Sequence, residues 1–273
     1  MKFKIGKFFI YLLLVAGAVW MLLPFIWMLS TSFKTQAESI RMPPTWIPHI
    51  PTFEPFVEVW EKVRFPRYIF VSLVTSFFTL IGVLTTSILA AYAFSWFKFR
   101  ARETIFVGVL SLMMIPIPVY VVPLFILIQR LGWIDTFNAL IVPWTVNIFA
   151  IFLLRQHFRS VPQDLYDAAV IDGCGRLRFL ITILLPLTKP ALITVAVFDI
   201  IASWNSFMWP LMVTNSDWMR PIQVGLAYFA QGESTNYPAL MAASTIAILP
   251  LVVLFFFAQR EIVESYAKSG LKE

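Results

Sequence analysis

Cysteine and histidine are scarce in this chain of 273 residues, which contains only Cys174, His49 and His157. A single cysteine excludes an intrachain disulfide and a redox pair, and two histidines beside it cannot build a structural zinc site. The phosphate-binding pattern G-x-x-x-x-G-K-[ST] is absent, so the chain has no P-loop for ATP. A nucleophile with its base is not apparent either. We therefore do not expect an enzyme or a chain that hydrolyses ATP by itself.

Charged side chains are also few: they make up 13% of the residues, about half the share that is usual in soluble domains, against 59% hydrophobic residues. A bilayer core needs ~20 apolar residues per helix. Six stretches of the chain are long enough, and only the fifth of them contains a charge, Asp199: 8–33, 68–97, 104–129, 136–154, 190–216 and 234–259. Continuous apolar runs differ from the alternating pattern of barrel strands. The sequence predicts an all-α membrane protein with six transmembrane helices, at about residues 8–32, 68–95, 104–130, 137–154, 187–210 and 236–258.

Lysine and arginine are distributed unevenly among the connections, as the positive-inside rule describes. They cluster before the first helix, after the last one, and between helices two and three and helices four and five. We expect these segments in the cytoplasm, together with both termini and the tail 261–273. The external loops are then 34–67, a weak exception in which five basic residues face four acidic ones, and 215–237. Topology accounts for the net charge of +6, so no nucleic-acid partner is expected.

Prolines and small residues give further local predictions. The first external loop is proline-rich between Arg41 and Pro55, and the run Phe56 to Arg64 is either an amphipathic interfacial helix or a plain connector. The second transmembrane helix is rich in Ser, Thr, Ala and Gly, which let helices approach closely, so it should lie inside the bundle. Pro116 and Pro143 are expected to kink helices three and four.

A mostly polar segment, residues 161–185, separates helices four and five. Ser160 and Gln163 fit a capping box, so a short helix is expected to begin there. Gly173 and Gly175 would end this helix. The helix would present a narrow face of little bulk, formed by Leu165, Ala168, Ala169 and Asp172.

A second short helix is expected over 176–184, with Pro186 at the start of the next membrane span. The resulting helix-turn-helix has two interpretations. It is either a docking element for a soluble partner or a loop that holds two transmembrane helices in register, and physics alone does not separate them.

The spacing of the segment resembles the EAA loop by which permease subunits of ABC importers dock their ATPase. The resemblance extends along nearly the whole chain and is closest to sugar permeases of the maltose and glycerol-phosphate group. It implies a single transmembrane permease domain over 1–273, with the type I ABC importer permease fold and cytoplasmic EAA coupling helices. The ATPase-coupling residues that it implies are Asp167, Ala168, Ala169, Asp172, Gly173, Ile183, Leu185 and Pro186. Other matching motifs, in order, are Ser32-Phe33-Lys34, Pro43-Pro44, Ala90 to Phe94, Met114-Ile115-Pro116, Trp204-Asn205 and Ala258-Gln259-Arg260.

The resemblance also implies partners: a second, different permease subunit, two ATPase subunits and an extracytoplasmic solute-binding protein that delivers a sugar. ATP and Mg²⁺ would be bound by the ATPases, and this chain would need no cofactor or metal. The complex would lie in the inner membrane of a bacterial or archaeal cell, with the tail 261–273 against the ATPases. The residues implied in binding-protein contact are Gln231, Gly232, Glu233 and Ser234.

Two positions depart from the family pattern. Asp167 stands where the family usually has Glu, which shortens the reach to the ATPase by one methylene but should preserve docking. Ser206 follows Trp204-Asn205 where an acidic residue is common, which puts in doubt a borrowed substrate or gate role there.

Asp199 lies about midway through the fifth helix, where a carboxylate must face the bundle or water. Three interpretations of Asp199 remain open: it lines a translocation cavity, it forms a hydrogen-bonded strut to the second helix, or it is a titrating group. The last would make the chain an ion-driven secondary transporter, our alternative function. The candidate path residues are Asp199, Ser203, Trp204, Asn205 and Ser206.

Overall fold

The computed structural model describes residues 2–62, 64–230 and 235–270, and its regular elements in these ranges are all helical. The all-α prediction is therefore confirmed. The α-helices are α1 (Lys2–Thr31), α2 (Gln36–Ser39), α3 (Glu54–Lys62), α4 (Phe65–Trp96), α5 (Arg102–Ser111), α6 (Ile117–Arg130), α7 (Phe137–Ile141), α8 (Ile148–Ser160), α9 (Gln163–Ile171), α10 (Arg176–Phe179), α11 (Leu185–Leu187), α12 (Lys189–Trp204), α13 (Met208–Val213), α14 (Ile222–Leu226) and α15 (Tyr237–Gly270).

Within the described residues, three unbroken helices are long and apolar enough to cross a bilayer: Lys7–Thr31, Phe65–Trp96 and Tyr237–Gln259. Three further candidate spans are bent pairs of helices, so the total is six if each pair is one span. The pairs are Arg102–Met114 with Ile117–Arg130 at 95°, Phe137–Trp144 with Ile148–Ser160 at 41°, and Arg176–Leu187 with Lys189–Trp204 at 80°.

Proline causes the first of these breaks. Ile115 and Pro116 adopt extended conformations, with ψ of 113° and 144°, because the residue before a proline is disfavoured in the α region. Pro143 lies in a 3₁₀ turn, Val142–Trp144, and the next helix starts where the Asn147 side chain accepts a hydrogen bond from the Ala150 amide at 3.1 Å. The predicted helices 104–130 and 137–154 are thus each divided near their middle.

The fifth predicted helix differs most from expectation. Pro186 does not start the span: it continues the preceding helical segment, which passes through a π-helical turn, Leu180–Leu184, and α11. The bend falls at Thr188, whose hydroxyl donates to the Leu184 carbonyl at 2.7 Å. The predicted range 187–210 becomes α12, which ends at Trp204, followed by the separate helix α13.

The chain forms two compact units. The first comprises the residues up to Pro66 and Gly225–Leu249, and the second comprises Arg67–Val224 and the residues from Pro250 onward. In the first unit, α3 has a buried side chain at Val59 and an exposed one at Trp60, so the run after the proline-rich loop is an amphipathic helix and not a plain connector. The Glu38 carboxylate holds that loop by accepting from the His49 amide at 2.9 Å.

In the second unit, α4 is the most buried of the three unbroken spans, as predicted from its small residues. Gly82 shows why: a Cβ there would meet Cγ2 of Thr145 at 2.5 Å, so only glycine permits this helix approach. The Thr86 hydroxyl donates to the Thr145 carbonyl at 2.7 Å across the same contact. One hydrophobic cluster joins α4 to α8, α9 and the start of α12. Five buried serine and threonine side chains also lie on α4: Ser72, Thr75, Ser76, Thr79 and Ser87.

Candidate functional site

The helix-turn-helix of residues 163–187, called here the 163–187 segment, begins differently from the sequence prediction. Ser160 is the last residue of α8, and its hydroxyl donates to the His157 carbonyl at 2.8 Å instead of capping α9. Pro162 occupies the N-cap position and offers no side-chain hydrogen bond. The capping-box prediction is wrong because Ser160 lies two residues before the cap that the backbone forms.

The turn itself is a Schellman motif centred on Gly173. The Cys174 amide donates to the Ala169 carbonyl at 2.8 Å, and the Gly173 amide donates to the Val170 carbonyl at 3.0 Å. Gly173 has φ of 77°, a conformation that disfavours residues with a Cβ. Gly175 has φ of −71° and is the N-cap of α10, so it needs no such freedom. The predicted helix end at Gly173 is confirmed.

Aromatic side chains fix the segment to the end of α4. The rings of Trp96, Tyr166 and Phe179 form a trio with centroid distances of 4.9 to 5.4 Å. The Tyr92 hydroxyl donates to the Arg176 carbonyl at 3.0 Å, at the first residue of α10. Phe179 is fully buried in the same cluster. Because large rings fill this contact, the segment and the end of α4 are expected to move together.

The eight predicted coupling residues divide into an inner and an outer set. Ala169 is buried, and Ile183 and Leu185 are half-buried in the cluster beneath. The outer set, which is exposed, consists of Asp167, Ala168, Asp172, Gly173 and Pro186. The expected face of Leu165, Ala168, Ala169 and Asp172 is therefore interrupted, because Ala169 points into the chain.

The structure also shows exposed apolar side chains on the segment that the motif did not indicate. Ile171 is 86% exposed and Leu177 is 65% exposed, and Val170 lies beside them. Together with Leu165, these residues are the exposed apolar side chains of α9 and α10, a set that we call the outer apolar patch: Leu165, Val170, Ile171 and Leu177. The signal in the sequence was two apolar residues, 170 and 171, at the end of a short helix whose buried face was already occupied by Tyr166 and Ala169.

A charged network lies beside this segment and was also missed. Arg155 is almost fully buried and donates two hydrogen bonds to the Glu103 carboxylate, at 2.7 and 2.6 Å. Its Nε atom donates to the Phe94 carbonyl at 3.2 Å, and its guanidinium lies 3.8 Å from the Phe106 ring centre. These contacts connect the end of α4, the start of α5 and the end of α8. The sequence showed only that Arg155 was one of several positive residues in a connection.

A cavity of about 830 Å³ opens within the second unit. Its polar lining comes from α4, from the broken region around Asn147 and from α12. Asp199 is 6% exposed, and its Oδ2 atom has no hydrogen-bond partner in the described part of the chain. Thr75, Thr79 and Trp144 also line the cavity, and their Oγ1 and Nε1 atoms, which are buried like Asp199 Oδ2, lack a partner there too. This geometry favours a cavity over a strut, because no hydrogen bond joins Asp199 Oδ2 to the hydroxyls of α4.

The five candidate path residues are not all brought together. Asp199, Ser203 and Ser206 line the cavity, whereas Trp204 is buried outside its lining. Asn205 is also absent from the lining, and its carboxamide accepts a hydrogen bond from Gln223 at 3.2 Å. A helical period of 3.6 residues explains the division, because 199, 203 and 206 share one face of α12 and its extension.

The predicted binding-protein contacts Gln231, Gly232, Glu233 and Ser234 lie outside the described residues, as does the end of the tail, 271–273. The start of the same loop is held by Asp135, which accepts from the amides of Asn215 at 2.9 Å and Ser216 at 3.0 Å. Partial burial opposes ionisation of this carboxyl, but the hydrogen bonds from Ser216 and Asn215 outweigh it and lower the pKa of Asp135. Within the described residues, no group of three His, Cys, Asp or Glu side chains could hold a metal ion.

Comparison with known proteins agrees with this architecture. The family described as binding-protein-dependent transport system inner membrane component matches residues 84–267. The chain is 36% identical to the trehalose/maltose transport system permease protein MalG of Thermococcus litoralis, over 96% of each chain. It is 35% identical to the arabinooligosaccharides transport system permease protein AraQ of Bacillus subtilis, over 76% of this chain and 73% of the relative.

A solved structure has a similar fold. It is a bacterial ABC transporter that imports the acidic polysaccharide alginate, and it aligns with a TM-score of 0.82 at 22% identity, over 94% of this chain and 96% of the other. The chain therefore belongs to the family of inner-membrane permease components of binding-protein-dependent ABC transport systems, which disfavours the ion-driven transporter considered as the alternative.

Proposed function

We propose that this chain forms half of the translocation pathway of an ATP-driven sugar importer and receives mechanical work through its 163–187 segment. The partners would be a second permease subunit, two ATPase subunits that bind ATP and Mg²⁺, and an extracytoplasmic solute-binding protein. The relatives named for trehalose, maltose and arabinooligosaccharides support a carbohydrate substrate. A second structure of an alginate transporter, with a TM-score of 0.70, was solved with a periplasmic protein bound to alginate pentasaccharide, which supports the last of these partners.

The exposure of the 163–187 segment carries the coupling proposal. Large apolar side chains left exposed on one short element are typical of protein contact sites. The outer apolar patch lies next to Asp167 and Asp172, which are exposed and suited to basic residues on a partner. We infer that the ATPase covers this patch and that the coupling residues Asp167, Ala168, Asp172 and Gly173 lie at its border.

The interior contacts of the segment suggest how work would be transmitted. The aromatic trio fixes α9 and α10 to the end of α4, so a displacement of the segment would carry that helix with it. The chain then bends by 80° into α12, which holds Asp199 at the cavity. Ala169, Ile183 and Leu185 would serve as the packed base of this lever, and the exposed Pro186 would lie outside that base.

The distribution of charge supports an orientation. Under the positive-inside rule, the positive residues before α1, between α4 and α5, and between α8 and α9 favour a cytoplasmic location for the 163–187 segment and both termini. The tail 261–273 would then face the ATPases, and Gln231, Gly232, Glu233 and Ser234 would face the binding protein. This chain itself would need no cofactor.

Copurification of the ATPase tests the coupling proposal. Ile171→Ser removes the most exposed apolar side chain of the outer apolar patch, and Ile40→Ser makes the same change at a 60% exposed isoleucine of the first unit. Both changes should leave stability within about 0.5 kcal/mol, because neither side chain is buried. We expect Ile171→Ser to reduce the recovered ATPase and ATP-driven sugar uptake, and Ile40→Ser to leave both unchanged. Equal recovery of ATPase with the two variants would contradict the proposal.

A further inference from the structure

The charge in the cavity lining is of one sign, negative. Asp199 is the only charged side chain among the lining residues, all of which lie in the described part of the chain, and no lysine, arginine or histidine is among them. The remaining lining consists of hydroxyl, amide, aromatic and aliphatic groups. The volume of about 830 Å³ lies within the range of ~300–1,000 Å³ that small-molecule sites occupy.

We propose that this cavity is a subsite for a neutral polyhydroxylated ligand and that Asp199 makes it reject anionic ones. The inference rests on the proposed function in that the ligand would be the transported sugar, but it adds a specificity-determining residue and a charge rule that sugar import alone does not require.

The polar side chains of the lining suit a sugar. Asp199 offers a carboxylate acceptor, and the hydroxyls of Tyr120, Ser203 and Ser206, none of which is a fully buried residue, can donate or accept. A sugar hydroxyl both donates and accepts, so one ligand can bond to several of these groups at once. A bound ligand displaces water from them, and polar groups that lose water without gaining a partner are unfavourable. A ligand that completes their hydrogen bonds is therefore favoured over one that only fills the volume.

An anionic sugar would bind in this cavity less favourably than a neutral one. Its carboxylate, sulfonate or phosphate group would leave water and find no cation in the lining, and burial of an unpaired charge is costly. The Asp199 carboxylate would repel it further, because charges in a partly desolvated cleft are screened less than at the surface. A neutral sugar incurs neither penalty.

Thiol labelling measures the charge selectivity of the cavity directly. In the purified complex, Cys174→Ser removes the single natural thiol of this chain, Ala202→Cys places one on the cavity lining, and labelling is followed on this chain alone. The labelling rates of a cationic and an anionic methanethiosulfonate reagent of similar size are then compared at pH 8. We expect the cation to react ~10-fold faster or more, since a cleft of one charge sign raises the local concentration of the opposite charge.

Two further variants test whether Asp199 causes the difference between the two labelling rates. Asp199→Asn should bring the two labelling rates within about threefold of each other, because it removes the charge and keeps the shape. Asp217→Asn removes an exposed carboxylate outside the cavity lining and should leave the ratio as it was. Equal rates with Asp199 present, or failure of both reagents to reach Ala202→Cys because a partner side chain fills the cavity, would overturn the proposal.

Ligand protection provides a second measurement that needs no change at Asp199. Maltose and trehalose serve as neutral probes, and maltobionate, the acid derived from maltose, serves as the matched anion at equal ionic strength. A neutral probe should slow the labelling of Ala202→Cys at least threefold, and maltobionate should not. Equal protection by neutral and anionic probes, or protection by none, would overturn the subsite.

ATP-driven uptake by the same complex separates this inference from the proposed function. Uptake without charge discrimination at Ala202→Cys overturns the subsite and leaves the importer in place. Charge discrimination without ATP-driven uptake overturns the importer and supports the subsite as a site for neutral polyols.

Discussion

The 163–187 segment and the cavity each lack a different kind of contact. The backbone of the segment is hydrogen-bonded at the Gly173 turn and aromatic rings pack beneath it, but the side chains of Ile171 and Leu177 are exposed. The cavity is lined mainly by apolar side chains but also by Asp199 and Trp144, whose Oδ2 and Nε1 atoms have no partner among the described residues. We attribute the uncovered apolar surface to a protein partner and the polar side chains of the cavity lining to a polar ligand. On this proposal, one short stretch of chain joins a docking surface to a binding cavity.

The largest expected effect concerns the shape of the docking turn. Gly173→Ser forces a residue with a Cβ into φ of 77°, at a cost of ~1–2 kcal/mol. Gly175→Ser is the matched change, since a Cβ meets nothing within 4 Å at either glycine but φ at Gly175 is −71°. We expect ATP-driven uptake in proteoliposomes to fall about 5- to 30-fold for Gly173→Ser and to stay near wild type for Gly175→Ser.

The control for this pair is the amount of chain in the membrane, which both variants should retain. If the two serine variants transported equally well, the positive φ of Gly173 would not matter for coupling, and the docking surface would have to be sought elsewhere.

The second prediction concerns the charged network beside the segment. Arg155→Lys removes the guanidinium that donates two hydrogen bonds to the Glu103 carboxylate from a buried position. Arg159→Lys is the matched change at a half-exposed arginine, whose Nη1 atom lies 3.9 Å from the same carboxylate. Because exposed ion pairs contribute little, Arg159→Lys should shift Tm by about one degree at most. Arg155→Lys should lower it by several degrees, as measured by thermal unfolding of the purified chain. Equal shifts would mean that Arg155 does not hold the three helix ends together.

The smallest expected effect is the pH dependence at Asp135. Its pKa is lowered in the folded chain, so its hydrogen bonds stabilise the fold above the unfolded value of ~3.9 and this stabilisation is lost as the pH falls through the lower folded value. Thermal stability relative to Asp135→Asn should therefore be constant between pH 8 and 5 and decrease only below about pH 4. A decrease centred near pH 6 would assign the titration to another group.

Much of this architecture was predictable because the bilayer imposes a simple pattern. Apolar runs with few charges give the spans, and the small residues of α4 give its place inside the second unit. The Gly173 turn was predictable for a local reason, since only its own conformation is involved.

The features that sequence reasoning missed depend on contacts distant along the chain. Arg155 meets Glu103 across 52 residues, and nothing in either neighbourhood indicates the pairing. The start of the fifth span was predicted at Pro186, whereas the chain bends at Thr188, because the π-helical turn before the proline has no sequence signal of its own. Trp204 was assigned to the pathway from its neighbours, although the helical period turns it away from the face of Asp199.

Transmission from the segment to the cavity is tested by one labelling experiment on the complex. The rate at which the cationic reagent modifies Ala202→Cys, in the Cys174→Ser background, is measured with and without ATP and Mg²⁺. If the segment drives the cavity, nucleotide should change this rate several-fold when Gly173 is present and leave it unchanged when Gly173→Ser is added. A rate that responds to nucleotide equally in both backgrounds, or in neither, would contradict coupling through the 163–187 segment.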